Sequence, residues 1–489
     1  MKLDSLTKPK FKNTTAIVLI VVFTFLLYGK ILSYSFVSDD YLAIVKVESF
    51  LKENSNIKTL FLISEENKSF RERLIDYSFS AAEASFRPVK TLSLFLDYQT
   101  WGLNPFGFRL TNLILYLING IFVYLLGKYL FKDVFPAFIG ALIFLAHPVN
   151  TETLLVVSNR HDLLALFFYF LAFFAFIKFL FSNSHKRIIV SIVLSWLCYI
   201  LAVLSKEVSI TFLFIVGAFI GLHKDRTIFI QKRKALFLFF IGTVLITAII
   251  VFMKIYYNFN INIQHKIYEA GFWVEILTIF KVFAEYLRWI VIPLDVKFYL
   301  VEQYPLAFKI SFKLILDFIA VLGVASLLIR AILKSSFSRA FSGAWLLLTL
   351  IPLVAIRAIP STMAARYLYI PMVGVSLFVA SFLNNNIKFK IKIRRNILIV
   401  AVIIFYSVIS SNLAYYWQNN LTLWDKMRRD FPKDSYINMQ YYLNYGGVMA
   451  FIGRDREALE SYLKAHFILP DNLEAVQKIK ELTEKVKIN

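Results

Sequence analysis

The sequence predicts an all-α polytopic membrane protein with about eleven transmembrane helices, a large first extracytoplasmic loop and a short C-terminal helical module. The 489 residues are 58% hydrophobic and 18% charged, whereas a soluble protein carries about 25% charged residues. Continuous apolar runs of roughly 20 residues, the length that a helix needs to cross a bilayer, recur along most of the chain. Such helices satisfy their own backbone hydrogen bonds within the lipid.

The formal net charge of +22 does not indicate a nucleic-acid-binding protein. Lys and Arg concentrate in short connectors between the apolar runs, which is the positive-inside pattern of membrane proteins. The single cysteine, Cys198, lies within an apolar run. It therefore predicts neither an intramolecular disulfide nor a cysteine metal site.

Eleven crossings are predicted, and the first is expected to remain uncleaved because no small-residue cleavage site follows it. Basic clusters at alternate connectors place the N-terminus in the cytoplasm and the C-terminus outside. These clusters are the N-terminal lysines, Lys128 with Lys132, Lys186 with Arg187, Lys224 to Lys234, Lys334 with Arg339, and Lys388 to Arg395. The crossings run about Thr15–Ser33, Leu110–Leu130, Val134–His147, Asp162–Phe181, Ile188–Leu204, Val208–His223, Ala235–Tyr257, Ser311–Ile332, Phe341–Ile356, Tyr367–Asn384 and Asn396–Tyr415.

A further apolar segment at about 272–292 suggests a twelfth crossing, but a crossing there would move the basic clusters that follow it to the outside. Lys281, Glu285 and Arg288 recur at i, i+4 and i+7 and form one polar stripe. The segment is therefore predicted to be an interfacial helix on the outer surface.

The predicted domains are a transmembrane domain at 1–415, with its first extracytoplasmic loop at about 34–109, and an extracytoplasmic helical domain at 416–489. Met439–Asn472 matches a 34-residue tetratricopeptide repeat, and Leu421–Asp430 resembles the second helix of a degenerate repeat before it. Because such arrays usually need about three repeats for stability, the module is expected to lean on the membrane domain or on a protein partner. The matching positions are Tyr442, Gly446, Gly453, Ala458, Tyr462, Ala465 and Pro470.

Polar residues at the ends of membrane spans are costly, and five clusters of them are candidates for chemistry. The first is Ser38-Asp39-Asp40, directly after the first span. A carboxylate beside an apolar wall suits a general base. The alternative is a solvated loop start or a helix cap.

The second cluster joins the run from His147 to Glu152 with Arg160, His161 and Asp162. One alternative is a capped short helix. Another is a site for a divalent cation, although the spacing matches no specific metal motif.

The third cluster is Lys206 with Glu207, which either pair with each other or place the lysine against a phosphate. The fourth is Arg366 with Tyr367 at the start of the tenth crossing, with Arg357 before it. Arg366 either snorkels to the interface or faces a cavity, where it would stabilise the charge of a leaving phosphate.

The fifth cluster is Phe86-Arg87-Pro88, followed by Asp97 and the turn-rich segment 101–109. Its aromatic residues are interpreted as interfacial anchors rather than as a sugar platform. All five clusters fall on the outer face under an orientation taken only from Lys and Arg. Their convergence predicts one extracytoplasmic site at the membrane surface.

Taken in order, these segments resemble the transmembrane and tetratricopeptide-repeat (TMTC) proteins and their prokaryotic relatives in the GT-C superfamily. The resemblance covers nearly the whole chain, and the ordered series is more specific than any one motif. The eukaryotic relatives carry many repeats, whereas this chain carries one clear repeat. The segments are Phe36–Asp40, Phe86-Arg87-Pro88, Trp101–Asn112, His147–Glu152, Ser158–Leu164, Ser205-Lys206-Glu207 and Arg366–Pro371.

The resemblance implies a GT-C-type bundle that transfers a sugar, often mannose, from a polyprenyl-phosphate-linked donor to an acceptor hydroxyl on a protein, glycan or lipid, with inversion. It implies Asp39 or Asp40 as the general base and Arg366 as a contact of the carrier phosphate. A bias towards Ile, Lys, Phe and Asn indicates a prokaryote, and hence its plasma (inner) membrane. The remaining residues implied to bind the substrate or line the cavity are Arg87, His147, Glu152, Arg160, Lys206, Glu207 and Tyr367.

Two other function classes fit the composition. A lipid-linked substrate transporter or flippase would carry charged residues near the middle of its spans and helices broken in a repeat-related pattern. Most titratable residues here lie at span ends instead. A membrane-anchored repeat scaffold would not require eleven crossings.

Overall fold

A computed structural model describes residues 12–45, 87–259, 271–298, 307, 309–354, 363–384, 389–433 and 435–488. Most of the first loop, the N-terminal lysines before Lys12, Lys388, and the candidates Phe86 and Arg357 lie outside the described residues. The described ranges contain helices and no β-strand. The α-helices are α1 Asn13–Tyr28, α2 Pro88–Trp101, α3 Pro105–Phe131, α4 Val134–Ala146, α5 Thr151–Leu155, α6 Arg160–Phe181, α7 His185–Ser205, α8 Phe212–Leu222, α9 Thr227–Gln231, α10 Arg233–Phe259, α11 Phe272–Val291, α12 Phe312–Lys334, α13 Phe337–Leu350, α14 Pro371–Ser381, α15 Phe389–Tyr416, α16 Asn420–Asp430, α17 Ser435–Phe451, α18 Asp455–Ile468 and α19 Leu473–Ile488.

The chain is a multi-pass membrane protein. Within the described residues, seven helical segments are long and apolar enough to cross a bilayer, and a pair bent by 56°, Val134–Ala146 with Pro148–Leu155, would make an eighth. Each coincides with a predicted crossing, and the other three predicted crossings fall on shorter apolar helices. The count of eleven stays a prediction. The seven segments are Asn13–Ser33, Pro105–Phe131, Val157–Phe181, His185–Ser205, Arg233–Ile255, Phe312–Lys334 and Arg394–Tyr416.

The segment predicted to be interfacial forms a single helix, α11. One side of it is buried at helical spacing, and its first two residues, Phe272 and Trp273, carry exposed rings. Glu285 pairs with Arg288 one turn away. Its position at the outer surface of the membrane stays a prediction. The buried residues are Thr278, Val282, Tyr286 and Trp289.

Small residues let the bundle helices approach closely. A methyl group at Gly374 of α14 would collide with the backbone of Ser342 and Leu346 in α13. Trp345, the residue before Leu346, packs in the interior against the rings of α6. It donates its indole N–H to the carbonyl of Ile370, 3.0 Å away. Small residues at contacts between membrane helices allow this kind of packing.

The third predicted span breaks at His147-Pro148, where proline cannot donate a backbone hydrogen bond. The last carbonyls of α4 would otherwise be unsatisfied. Each of them accepts a side-chain hydrogen bond instead: Phe144 from Asn150 (2.7 Å), Leu145 from Tyr116 (2.8 Å) and Tyr28 (3.2 Å), and Ala146 from Ser410 (2.7 Å).

The C-terminal helices α16 to α19 follow the last membrane helix after a short break. Leu423 and Trp424 of α16 are buried in the same core cluster as the membrane helices, so α16 packs on that bundle. Helices α17 and α18 form a hairpin in which Gly446 faces the ring of Tyr462. A Cβ at Gly446 would lie 3.1 Å from that ring. The assignment of this hairpin to a tetratricopeptide repeat stays a prediction.

We expect Ser410→Ala to destabilise the protein by about 1–3 kcal/mol, because it leaves the buried carbonyl of Ala146 without its donor. Ser407→Ala is the matched control, since that hydroxyl bonds to Ile403 within its own helix. The measurement is the apparent Tm of each variant in the same detergent. Equal Tm values for the two variants would contradict this role of Ser410.

Candidate functional site

The first loop begins in a clamp built by one arginine. Arg109 of α3 is 1% exposed and donates hydrogen bonds to the carbonyls of Tyr34 (3.0 Å), Leu155 (2.9 Å) and Ser35. A guanidinium carries five N–H donors in a rigid fork, so one side chain can fix two chain segments at once. Arg109 therefore ties the loop to the end of the broken third span.

The two adjacent carboxylates of the first loop have different environments. Asp40 is fully buried and accepts hydrogen bonds from the backbone N–H groups of Ser158 (2.8 Å) and Val37 (3.3 Å). Burial is the largest influence on Asp40 and raises its pKa above the ordinary value, while Arg109 and the backbone donors act in the opposite direction. Both carboxylate oxygens of Asp40 are therefore engaged in holding the backbone.

Asp39 is half-buried. Among the described contacts of its carboxylate is a long hydrogen bond of 3.5 Å from the Ser38 hydroxyl. Ser38 adopts a left-handed conformation with φ of +50°, which is uncommon for a residue other than glycine. Of the two candidate bases, Asp39 is the one whose carboxylate is not committed to backbone N–H groups in the described structure.

Arg160 and His147 were expected to line the cavity, and the structure places both inside the protein. Arg160 is fully buried and contacts Asp97 (2.5 Å), Asn112 (2.7 Å) and the carbonyl of Phe108 (2.8 Å). All of its donor capacity serves the joint between α2, α3 and α6. Direct contact of Arg160 with a substrate is therefore not supported.

His147 stands at the break of the third span and is 1% exposed. Its Nδ1 accepts from the N–H of Val149 (3.4 Å), and its Nε2 lies 3.0 Å from the carbonyl of Ile290. A carbonyl only accepts, so Nε2 carries the proton and the ring is neutral. The ring also contacts Tyr406. His147 therefore stabilises the break, and its place in a substrate cavity stays a prediction.

Four basic side chains converge near the same end of the bundle, each paired with a carboxylate from another element. Lys206 pairs with Asp162, and Arg366 pairs with Glu152. The ion pair between Lys206 and Glu207, which was one sequence-based alternative, does not form. Glu207 instead binds Arg87 (3.3 Å) and Lys254 (2.7 Å).

His161 links this basic cluster to the first loop. Its Nδ1 lies 3.1 Å from the carbonyl of Ser158, and its Nε2 lies 3.1 Å from Nη1 of Arg87. Because the carbonyl only accepts, His161 carries a proton on Nδ1. Nε2 faces both the guanidinium of Arg87, which only donates, and Oδ2 of Asp162, 3.3 Å away. Ser158 also donates its N–H to Asp40. A continuous chain of hydrogen bonds therefore runs from the first loop to Arg87.

The cluster retains capacity for an anion. Nε of Arg87 is buried and has no hydrogen-bond partner among the described residues. The ring of Tyr367 contacts both Lys206 (5.1 Å from the ring centroid) and Arg366 (5.3 Å) and helps to hold these two cations near each other. Four basic groups face three acidic ones here: Arg87, Lys206, Lys254 and Arg366 against Glu152, Asp162 and Glu207.

A metal site was left open by the sequence. Within the described ranges, no group of three or more His, Cys, Asp and Glu side chains is arranged to hold a metal ion.

Two residues of the site were missed by sequence reasoning. Lys254 lies within the predicted seventh crossing, and a lone lysine in an apolar run was the signal that could have found it. Arg109 was included only as the end of a turn-rich segment. Nothing in its sequence context indicated that it would bind three carbonyls.

No family model matches the chain. Protein O-mannosyl-transferase TMTC1 of Mus musculus is 34% identical over 152 residues, which are 31% of this chain and 15% of that protein. TMTC2 of Homo sapiens is 31% identical over 153 residues, which are 31% of this chain and 17% of that protein. TMTC3 of Mus musculus is 31% identical over 203 residues, which are 41% of this chain and 20% of that protein. The resemblance to TMTC proteins is thus confirmed over 31–41% of the chain, rather than over nearly all of it as expected. The matched part spans no more than 20% of the length of these curated relatives.

Two solved structures also align with the chain. They are ArnT from Cupriavidus metallidurans bound to undecaprenyl phosphate and ArnT in the apo state. Their sequence identities are 12% and 13%, and their TM-scores are 0.46 and 0.47. The alignments cover 96% and 95% of this chain and 78% of each ArnT chain.

We expect Asp40→Asn to lower the apparent Tm. The amide keeps the shape but turns an N–H group towards a backbone N–H, at a cost of about 1–3 kcal/mol. Asp39→Asn is the matched control and should leave the Tm nearly unchanged. Thermal unfolding of both variants in lipid nanodiscs checks this. A larger loss of stability in Asp39→Asn would reverse the roles of the two residues.

Proposed function

We propose that the chain is a membrane glycosyltransferase of the GT-C type that transfers a sugar from a polyprenyl-phosphate-linked donor to an acceptor hydroxyl. The observation that carries the proposal is the hydrogen-bonded chain from the first loop through Ser158 and His161 to Arg87. It joins the first loop, where Asp40 lies next to Asp39, to a basic cluster that can hold a phosphate. The similarity to curated O-mannosyl-transferases supports mannose as the sugar and a protein hydroxyl as the acceptor.

Asp39 is the proposed general base. It takes the proton of the acceptor hydroxyl, whose oxygen attacks the anomeric carbon of the donor. The bond from that carbon to the carrier phosphate breaks, and its electron pair leaves with the phosphate oxygen. Attack from the face opposite the leaving group inverts the anomeric configuration. Asp40 holds the backbone that carries Asp39 and takes no proton in this scheme.

The basic cluster is the proposed site of the carrier phosphate. Negative charge grows on the phosphate as the glycosidic bond breaks, so fixed cations stabilise the transition state more than the ground state. Arg87 offers a donor, Nε, that has no hydrogen-bond partner among the described residues, and Lys206 and Arg366 both contact the ring of Tyr367. Glu207, Asp162 and Glu152 pair with Arg87, Lys206 and Arg366, respectively, and keep these cations in place before the donor arrives.

The proposed setting is the plasma (inner) membrane of a prokaryote, with the N-terminus cytoplasmic and the C-terminal repeat module outside. The polyprenyl tail then stays in the bilayer and its phosphate reaches the cluster at the interface. A lipid-linked substrate transporter is the second candidate, and the break in the third span favours it. Movement of donor across vesicle membranes without any transfer product would support the transporter.

We expect Asp39→Asn to reduce release of carrier phosphate by roughly 10²- to 10⁴-fold, the usual contribution of a positioned base. The measurement uses purified protein in lipid with a panel of radiolabelled polyprenyl-phosphate sugars, with and without candidate acceptors. Asp133→Asn is the control, because that residue caps α4 at the end away from the site and asparagine caps equally well. Full activity in Asp39→Asn would exclude Asp39 as the base.

We expect Arg87→Gln to weaken inhibition by a free polyprenyl phosphate by roughly 10- to 100-fold, since a hydrogen bond to a charged group contributes about 1.5–3 kcal/mol. Arg226→Gln provides the matched control, because Arg226 binds carbonyls of Ile220 and Gly221 at the other end of α8. The inhibition constant of each variant is measured against the same donor. Unchanged inhibition in Arg87→Gln would remove Arg87 from the phosphate site.

A further inference from the structure

The first loop has a third attachment, to the segment that joins the last membrane helix to the C-terminal module. The N–H of Ser38 donates to Oδ1 of Asn420 at 2.8 Å. The N–H of Ser35 donates to the carbonyl of Gln418 at 3.0 Å. These partners are separated from the loop by more than 380 residues of sequence, so the contact is purely tertiary.

The segment on the module side of this contact is well anchored. Trp417 is 5% exposed, and its ring centroid lies 4.5 Å from that of Phe298. Asn419 caps α16 by accepting from the N–H of Thr422 at 3.0 Å. Asn420 is the first residue of α16, and its side chain reaches back to the loop. The acceptor oxygen of Asn420 is therefore held by the docking of α16 on the bundle.

The hydrogen bond with Asn420 meets the loop at Ser38, whose backbone has a left-handed conformation. Ser38 has a φ of +50°, and a left-handed residue other than glycine needs support from its surroundings. Asp40 fixes the loop on one side by binding Val37 and Ser158. The Asn420 bond fixes the residue on the other side of Asp39. The direction of the Asp39 carboxylate thus depends on both attachments.

We propose that Asn420 is a positioning residue through which the C-terminal helical module orients Asp39, so that the membrane domain has a productive site only while α16 is docked. The inference rests on the proposed function, because it assigns Asp39 to catalysis. Asn420 contacts only the backbone of Ser38 in this role and takes no part in proton transfer. Its loss should lower kcat and leave the KM for the donor unchanged.

The experiment compares Asn420→Ala, Asn420→Asp and Asn419→Ala with the wild type, each as the full chain in nanodiscs. The first readout is hydrogen exchange of the peptide that covers residues 34–45, which needs no substrate. The second is kcat and KM for carrier-phosphate release with the donor found active in the panel. Asn419→Ala removes a cap of the same helix without touching Ser38, and aspartate at 420 keeps an acceptor oxygen.

In Asn420→Ala we expect faster exchange of the loop peptide and a roughly 10- to 100-fold fall in kcat, the scale of effect that a small misplacement of a catalytic group produces. Asn420→Asp and Asn419→Ala should remain close to the wild type. Adding Ser38→Gly to Asn420→Ala should raise kcat again, because glycine adopts positive φ without a steric penalty.

Four results would overturn the proposal. Unchanged exchange in Asn420→Ala would show that the bond does not hold the loop. Faster exchange with an unchanged kcat would show that the hydrogen bond holds the loop but does not influence Asp39. Equal losses in Asn419→Ala and Asn420→Ala would assign the effect to α16 as a whole. If the wild type releases no phosphate from any donor while exchange still responds to Asn420→Ala, the proposed function fails and the contact is structural only.

Discussion

Non-helical backbone near the bilayer is tolerated only where protein groups satisfy its N–H and C=O groups, and this structure depends on that constraint in two places. At the break after α4, side chains from three other helices and the following turn bind the exposed carbonyls. In the first loop, Arg109 binds carbonyls and Asp40 binds N–H groups. Both irregular segments border the candidate site: the first loop carries Asp39, and Glu152 follows the break after α4.

The charges of the site follow a related constraint. A charge removed from water is costly unless a partner and further hydrogen bonds compensate for it. Lys206, Lys254 and Arg366 each pair with a carboxylate from a different element, so the cations hold the helices together in the absence of a ligand. A phosphate entering the cluster would join an arrangement that is already fixed. Such preorganisation makes electrostatic stabilisation effective during bond breaking.

The two constraints meet at the junction with the C-terminal module. Asn420 supplies an acceptor to the loop that carries Asp39, while Leu423 and Trp424 bury the same helix in the membrane core. One short helix therefore contacts the bundle, the loop and the repeat-like hairpin. The packing of α16 agrees with the sequence-based expectation that the module leans on the membrane domain.

The sequence by itself determined the helices and the span ends at which polar and charged side chains cluster, because hydrophobic periodicity and charge are local properties. The predicted crossing Asp162–Phe181 coincides with α6, and the segment at 272–292 forms α11. The sequence could not show that Asp39 and Asp40 have different environments. Nor could it show that Arg160 and His147 are buried and that Lys206 pairs with Asp162. Only the tertiary structure decided these environments and pairings, because each depends on hydrogen bonds between residues tens to hundreds of positions apart. Sequence spacing does not encode which distant backbone a side chain will meet.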